Sequence, residues 1–251
     1  MVEKRIEHYS YIPKYHQLFS ILRTKIEDGD WEPNQPIPSE RELEKTYKIS
    51  RTTIRQALSM LDDYGYIYRD IGRGTFVAPP KLQNSLHELT SFSKDMEERG
   101  LKPGHEILNL DYVEPTAVVR QQLELPDDFG KVLYIERLRF ADDIPIGLHY
   151  AYLPLRENEP ITISEMNQYG SLYDLLQSKF NLIPAEAYET LEATIADAKE
   201  AKLLDVNKGS PLLLIERTVW SKDRKTMEFV RILYRGDRYK YFVHLARRES
   251  A

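Results

Sequence analysis

The sequence predicts an α+β protein in two parts, and three observations carry that prediction. Residues 1–78 read as three short amphipathic helices followed by a β-hairpin, whereas residues 86–251 change to long alternating strands with a few helices between them. The stretch joining them, residues 79–85, opens on Pro79-Pro80, which neither a helix interior nor a central strand accepts. A chain of 251 residues, 41% hydrophobic and 30% charged, suits one large domain or two smaller ones.

The first helix is predicted over Tyr15–Ile26, where Leu18, Leu22 and Ile26 recur at helical spacing with Phe19 and Ile21 beside them, and Gly29 stops it. After the proline-rich turn Trp31–Pro38, Ser39 is followed three residues later by Glu42, a capping-box pattern that opens a helix through about Tyr47. Lys48-Ile49 form a tight connection. Ser50 then caps a third helix over Arg51–Leu61, with Ile54, Ala57, Leu58 and Leu61 along one face, and Gly65 ends it. Tyr66–Asp70 and Thr75–Val77 alternate as two strands around Ile71-Gly72-Arg73-Gly74, a hairpin whose glycines permit close approach to another backbone.

Two short helices joined by a few residues form a helix-turn-helix, and the second of them has the side chains of a major-groove reader. Arg51, Thr52, Thr53, Arg55 and Gln56 fall away from its apolar stripe near the N-terminus, the end whose free N–H groups and positive dipole favour phosphate. Arginine reads guanine edges, glutamine reads adenine, and threonine holds a phosphate or touches a thymine methyl. The tip arginine of the hairpin would reach the minor groove or its phosphates. The competing reading is a solvated protein-interaction module with scattered arginines. Net charge does not decide between them: the chain carries −5, and residues 1–80 hold twelve basic and twelve acidic side chains. A local patch, not the total, would have to meet a DNA backbone.

Pro38-Ser39-Glu40-Arg41-Glu42-Leu43, Ser50–Leu58 and Gly72-Arg73-Gly74-Thr75-Phe76-Val77 resemble the winged helix-turn-helix of the GntR family of bacterial transcription regulators. The resemblance implies a homodimer on a palindromic operator of double-stranded DNA, with Arg41, Arg51, Arg55 and the wing tip Gly72-Arg73-Gly74 in the positions that the family uses on DNA.

Beyond the prolines, strands are predicted around Leu110 and over Val132–Phe140, Ile144–Leu153, Glu186–Ala193, Leu212–Trp220, Met227–Tyr234 and Tyr241–Leu245. Helices are predicted over Ser91–Glu98, Ala117–Leu123, Ser171–Phe180 and Asp197–Leu204. Together they make an antiparallel sheet with helices on one face or at its ends. Catalysis has no support in the pattern. The six histidines are scattered, cysteine is absent, and no phosphate loop or nucleophile elbow occurs, so no catalytic residue, metal site or cofactor is expected. The cysteine-free chain, without a signal-like start or a long apolar run, suits a reducing cytoplasm rather than secretion or a membrane.

Side-chain parity points instead to an anion pocket. Arg137 and Arg139 lie two apart, on one strand face with Leu133 and Ile135, as in a phosphate or carboxylate clamp. Glu228 and Tyr234, six apart, also share a face, and a carboxylate with a phenol suits sugar hydroxyls. The same parity fits a solvated face on which the arginines pair with nearby Asp and Glu.

Leu89–Met96 with Arg99-Gly100, Arg137-Leu138-Arg139-Phe140, Ile144-Pro145-Ile146, Tyr152-Leu153-Pro154, Ser171-Leu172-Tyr173 and Tyr234–Tyr239 resemble the effector-binding UTRA domain of the HutC subfamily, similar in fold to chorismate lyase. The likeness runs over about residues 85–248 and is greatest to repressors of N-acetylglucosamine use. It implies that residues 86–251 bind the effector and dimerise, with Ser93, Arg137, Arg139 and Ser171 on a phosphate and Phe92, Tyr173, Glu228 and Tyr234 around a sugar. A non-sugar carboxylate sensor and, more remotely, a lyase-like enzyme are the alternatives. Where the amino-sugar sensors have a glutamate, this chain has His149, a group that titrates near neutrality. A two-residue turn at Asp142-Asp143 would set His149 opposite Glu136, away from the arginines; a three-residue loop would set it opposite Ile135, on their face. The longer loop is expected.

Overall fold

The computed structural model describes residues 6–7, 11–70, 72–79, 81–85, 89–158 and 160–242. Contacts divide the chain into two compact units, Met1–Leu82 with Gly236–Arg238, and Gln83–Arg235 with Tyr239–Ala251.

The first unit holds α1 (Lys14–Glu27), α2 (Glu40–Tyr47), α3 (Arg51–Asp63) and the hairpin β1 (Ile67–Asp70) with β2 (Gly74–Val77). Local chemistry sets its helix ends. Ser39 and Glu42 close a reciprocal capping box on α2, Lys48 turns left-handed at its C-cap, and the Ser50 side chain accepts from the Thr53 N–H at the start of α3. Leu18 and Leu22 of α1, Leu43 of α2, Ile54 and Leu61 of α3 and Ile67 of β1 meet in one core. Each is fully or almost fully buried, which contributes about 1.5–3 kcal/mol per side chain. The hairpin pairs Asp70 with Gly74, and Gly72 at its tip has a φ of 82° that a side chain would resist. Ile71, expected in that tip, lies outside the described residues.

The second unit runs β3 (Leu82–Ser85, its first residue counted with the first unit), α4 (Phe92–Glu98), β4 (Pro103–Val113), α5 (Ala117–Gln122), β5 (Val132–Ala141), β6 (Ile144–Leu153), α6 (Ile163–Tyr169), α7 (Leu172–Phe180), β7 (Pro184–Ile195), α8 (Ala198–Leu204), β8 (Pro211–Ser221), β9 (Thr226–Arg235) and β10 (Tyr239–Phe242). Six strands form one antiparallel sheet in the order β4-β5-β6-β9-β8-β7, and β3 pairs with β10. Residues 82–85, expected within the connecting stretch, are therefore a strand. The last strand starts at Tyr239 rather than Tyr241, and residues 243–245 of its expected span lie outside the described residues. Helix α6 was not anticipated from periodicity; a Thr162–Glu165 capping box starts it.

Helices lie on both faces of the sheet, not on one face or at its ends. Val119 and Leu123 at α5 pack on Val132 and Phe229, and Ala201 and Leu204 of α8 pack on Leu138, Leu148 and Leu233. The opposite face, carrying Arg137, Arg139 and His149, meets α4 and α7. The sheet is apolar at both parities of its central strands, so two layers of helix are needed to cover it.

The turn between β5 and β6 overturns the expected loop length. Ala141 pairs with Ile144 across a two-residue turn in which Asp142 and Asp143 have φ of 48° and 65°, a left-handed pair whose twist matches the strands and which Asp tolerates. His149 nevertheless faces the arginines, because Phe140 pairs with Pro145 while Arg139 pairs with Gly147. The extra residue is a β-bulge that changes the parity of everything after it and sets His149 opposite Arg137, neither Glu136 nor Ile135.

Candidate functional sites

In the first unit the polar side of α3 projects outward. Arg51 and Arg55 have 61% and 64% of their side chains exposed, and Thr52, Gln56 and Arg41 are exposed as well. Thr53 is half-buried and its hydroxyl is bonded to Ser50 Oγ at 2.8 Å, so it serves the helix start as much as the surface. Glu40 binds Arg51 Nε at 2.7 Å and lies 3.6 Å from Arg55. Gly72, Arg73 and Gly74 are exposed at the hairpin tip, where Arg73 pairs with Asp70 at 2.8 Å. Such exposed pairs are worth little, so phosphate oxygens can replace the carboxylates at low cost.

In the second unit the sheet face beneath α4 and α7 bounds a cavity of about 40 Å³, room for a compact polar group. Of the nine residues expected there, eight line it: Phe92 from the first turn of α4, Arg137 and Arg139 from β5, His149 from β6, Ser171 and Tyr173 from the start of α7, and Glu228 and Tyr234 from β9. Ser93 instead donates to the Gly170 carbonyl at 3.0 Å and lines an adjoining cavity of about 620 Å³ that shares Ser91, Arg139 and Ser171 with the first.

The arginines are not on a solvated face. Arg137 and Arg139 are each 3% exposed, and Arg137 Nε, Arg137 Nη1 and Arg139 Nε have no hydrogen-bond partner. Phe92 spreads its ring 4.1 Å from the Arg139 guanidinium, a cation–π contact that stabilises the cation without using its N–H donors. Burial, with Arg137 beside it, pushes Arg139 well below the usual arginine range. Burial, with Arg139 and Arg137 alongside, likewise holds His149 well below 6.5. Its Nε2 is 3.2 Å from the Tyr234 hydroxyl. Tyr173 donates to Glu228 at 2.9 Å, while burial raises Glu228 against the opposing pull of Arg137. Guanidinium N–H donors without partners on the wall of a cavity can donate to the oxygens of an anion.

Arg217, Asp95 and Tyr239 also line the cavity, and residue-by-residue reasoning missed them. Arg217 was discoverable: it shares strand parity with Ile215 and Val219, the pattern that picked out Arg137 and Arg139. It is paired with Glu189 of the neighbouring strand β7. Asp95 pairs with Arg99 one helical turn on, and Tyr239 stacks on Tyr234 with centroids 3.9 Å apart; neither carried a local signal. Among the described residues no group of three His, Asp or Glu could hold a metal ion, and no helix is long and apolar enough to cross a membrane.

A model of the bacterial regulatory proteins of the gntR family matches residues 14–77, and a model of the UTRA domain matches residues 98–240. The chain is 38% identical over 242 residues to the HTH-type transcriptional repressor NagR of Bacillus subtilis (strain 168), spanning 95% of this chain and 97% of that protein. It is 30% identical over 233 residues to the histidine utilization repressor of Klebsiella aerogenes, spanning 91% and 92% of the two. The crystal structure of PhnF from Mycobacterium smegmatis superposes with a TM-score of 0.61 at 27% identity, covering 92% of this chain and 99% of that one. With a winged helix-turn-helix and a UTRA domain both matched in sequence and in fold, the chain belongs to the GntR family, in its HutC subfamily, as a DNA-binding transcriptional repressor and not an enzyme.

Proposed function

We propose that this repressor binds a palindromic operator as a homodimer through Arg41, Arg51, Thr52, Arg55, Gln56 and the Gly72-Arg73-Gly74 wing tip, and leaves it when a small anion, a sugar phosphate, fills the pocket of the second unit. Thr53 contributes through its cap as well as its surface. The observation that carries the effector reading is the pair Arg137 and Arg139, buried side by side with three N–H-bearing atoms lacking partners. Buried cations with unused donors persist where a ligand supplies the acceptors. Ser171, at the start of α7, adds a hydroxyl, and Phe92, Tyr173, Glu228 and Tyr234 supply the face and hydrogen-bonding groups that a sugar ring takes. An effector that binds one arrangement of the two heads better lowers the fraction matched to the operator half-sites, which is release by population shift.

The test is a thermal-shift screen against sugar phosphates, their unphosphorylated parents and simple carboxylates, because a ligand that binds only the folded state raises the melting temperature. A shift that requires the phosphate, together with loss of operator binding at the same concentrations, is the expected result. A shift with carboxylates alone moves the effector to another class. Relatives that match 91% and 95% of this chain are named for histidine utilization and for mannosyl-D-glycerate transport and metabolism.

A further inference from the structure

We propose that His149 is the proton acceptor of the effector pocket: it takes one proton from solvent when a dianionic head group seats on Arg137 and Arg139, so that the site binds the dianion together with a proton. The inference rests on the anion-pocket reading above and adds its charge balance.

Geometry places the ring there. The bulge just before Gly147 sets His149 opposite Arg137, and the ring is buried, edge-on to Phe92 at 5.7 Å and to Tyr234 at 5.5 Å. Among the described residues, the charged groups that face it come from four elements. β5 supplies Arg137 and Arg139; β8 supplies Arg217, already paired with Glu189; β9 supplies Glu228; and on α4 Asp95 is paired with Arg99. The phenols Tyr173, Tyr234 and Tyr239 stay neutral, and His105 of β4 faces Arg139 from the adjoining cavity, its Nε2 3.1 Å from Asn167.

With His149 neutral, this enclosure carries one uncompensated positive charge, and that surplus, with burial, keeps the imidazole unprotonated in the free protein. A dianion reverses the sign and leaves one negative charge in excess. A proton on His149 restores neutrality, which a low-dielectric enclosure strongly favours. The proton has a path for its effect as well: with Nε2 protonated, the ring donates to the Tyr234 oxygen, and the Tyr234 hydroxyl is freed to donate to the ligand. Protonation fixes Nε2 as that donor and adds the charge that a dianion balances and a monoanion does not, so the site discriminates by charge state as well as by shape.

The sign follows from linkage. If the bound form holds its proton to a higher pH than the free form, affinity rises as pH falls through the bound-state value and levels off below the free-state value. Inorganic sulfate is the probe, because it does not titrate near neutrality and any proton uptake then belongs to the protein. In calorimetry on the full-length repressor in buffers of different ionisation heat, sulfate binding is expected to take up a fraction of a proton approaching one, and to tighten roughly 5- to 10-fold from pH 8 to pH 6. In His149→Gln both effects disappear. A second readout needs no variant: the His149 imidazole resonances of the wild-type chain should move to the protonated position on adding sulfate at pH 7. Binding that is indifferent to pH, or proton uptake that persists in His149→Gln and so belongs to Glu228 or His105, overturns the proposal while leaving the anion pocket intact. No binding of sulfate or phosphate by folded protein at any pH removes the pocket reading and this inference with it.

Discussion

Arg139→Met should stabilise the ligand-free protein while destroying its response to an anion. Arg139 is 3% exposed, lies beside a second buried arginine, and leaves its Nε without a partner. Replacing whole buried ion pairs by apolar side chains is neutral or stabilising by about 1–4 kcal/mol, and Arg139, which makes no ion pair among the described residues and sits beside a like charge, leaves no partner stranded when it is removed. Against this stands the cation–π contact with Phe92, about 2 kcal/mol when desolvated, part of which a methionine sulfur recovers on the same ring. The net expectation is about 1–2 kcal/mol, or a rise of roughly 2–8 °C in melting temperature for a domain of this size. Loss of one guanidinium from the anion site costs about 1.5–3 kcal/mol of binding, a roughly 10- to 150-fold weaker effector. Differential scanning fluorimetry with and without the anion that shifts the wild type reads both quantities in one experiment. A melting temperature several degrees lower in the ligand-free variant would refute the reasoning, since Arg139 would then be holding the sheet rather than waiting for a ligand.

Arg51→Ala should weaken operator binding by about 1–3 kcal/mol at fixed salt with no change in effector affinity; operator binding at wild-type strength by gel shift or anisotropy would take Arg51 out of the interface. Gly147→Ala should close the pocket from behind, because a Cβ there comes within 2.5 Å of the Tyr234 ring and 3.0 Å of the Leu233 carbonyl. Overpacking of this kind costs about 1–3 kcal/mol, and the accompanying loss of ligand-induced thermal shift is the measurement; a normal shift would show that Tyr234 can move without consequence. Glu165, which bonds Lys179 and caps α6 through Thr162, is held down at about 2 from an ordinary 4.5. Its folded value being depressed, its contribution is present above pH 4.5 and is lost as pH falls toward 2. Acid unfolding of Glu165→Gln should therefore show a shallower loss of stability over that window, and superimposable acid limbs would contradict this.

The helices of the first unit were legible because their determinants are local. Ser39 with Glu42, Ser50 before Arg51, and the stripe Ile54, Ala57, Leu58 and Leu61 each act within one or two turns, and the structure realises all three. The long strands were legible from alternation, and Arg137, Arg139, Glu228 and Tyr234 fell on one face because parity is conserved along a regular strand. Helix α6 was not: seven residues after a proline-rich approach make too short a stripe for periodicity to register, and its start is visible only as a capping box.

Which residues share a strand face, and where most of the helices begin, could be read from neighbours a few positions away. Tertiary structure decided what those faces meet. Two layers of helix instead of one cover the sheet, Arg137 and Arg139 lie in an enclosure rather than in solvent, and Arg217, Asp95 and Tyr239 complete it from three different elements. His149 shows the division most sharply. Its turn is as short as Asp142-Asp143 allows, which alone would point it away from the arginines, and a single extra residue in β6 turns it back. Parity along a strand is a local property, but a bulge is selected by the packing of both sheet faces at once, and so only the folded sheet could set that histidine beside Arg137.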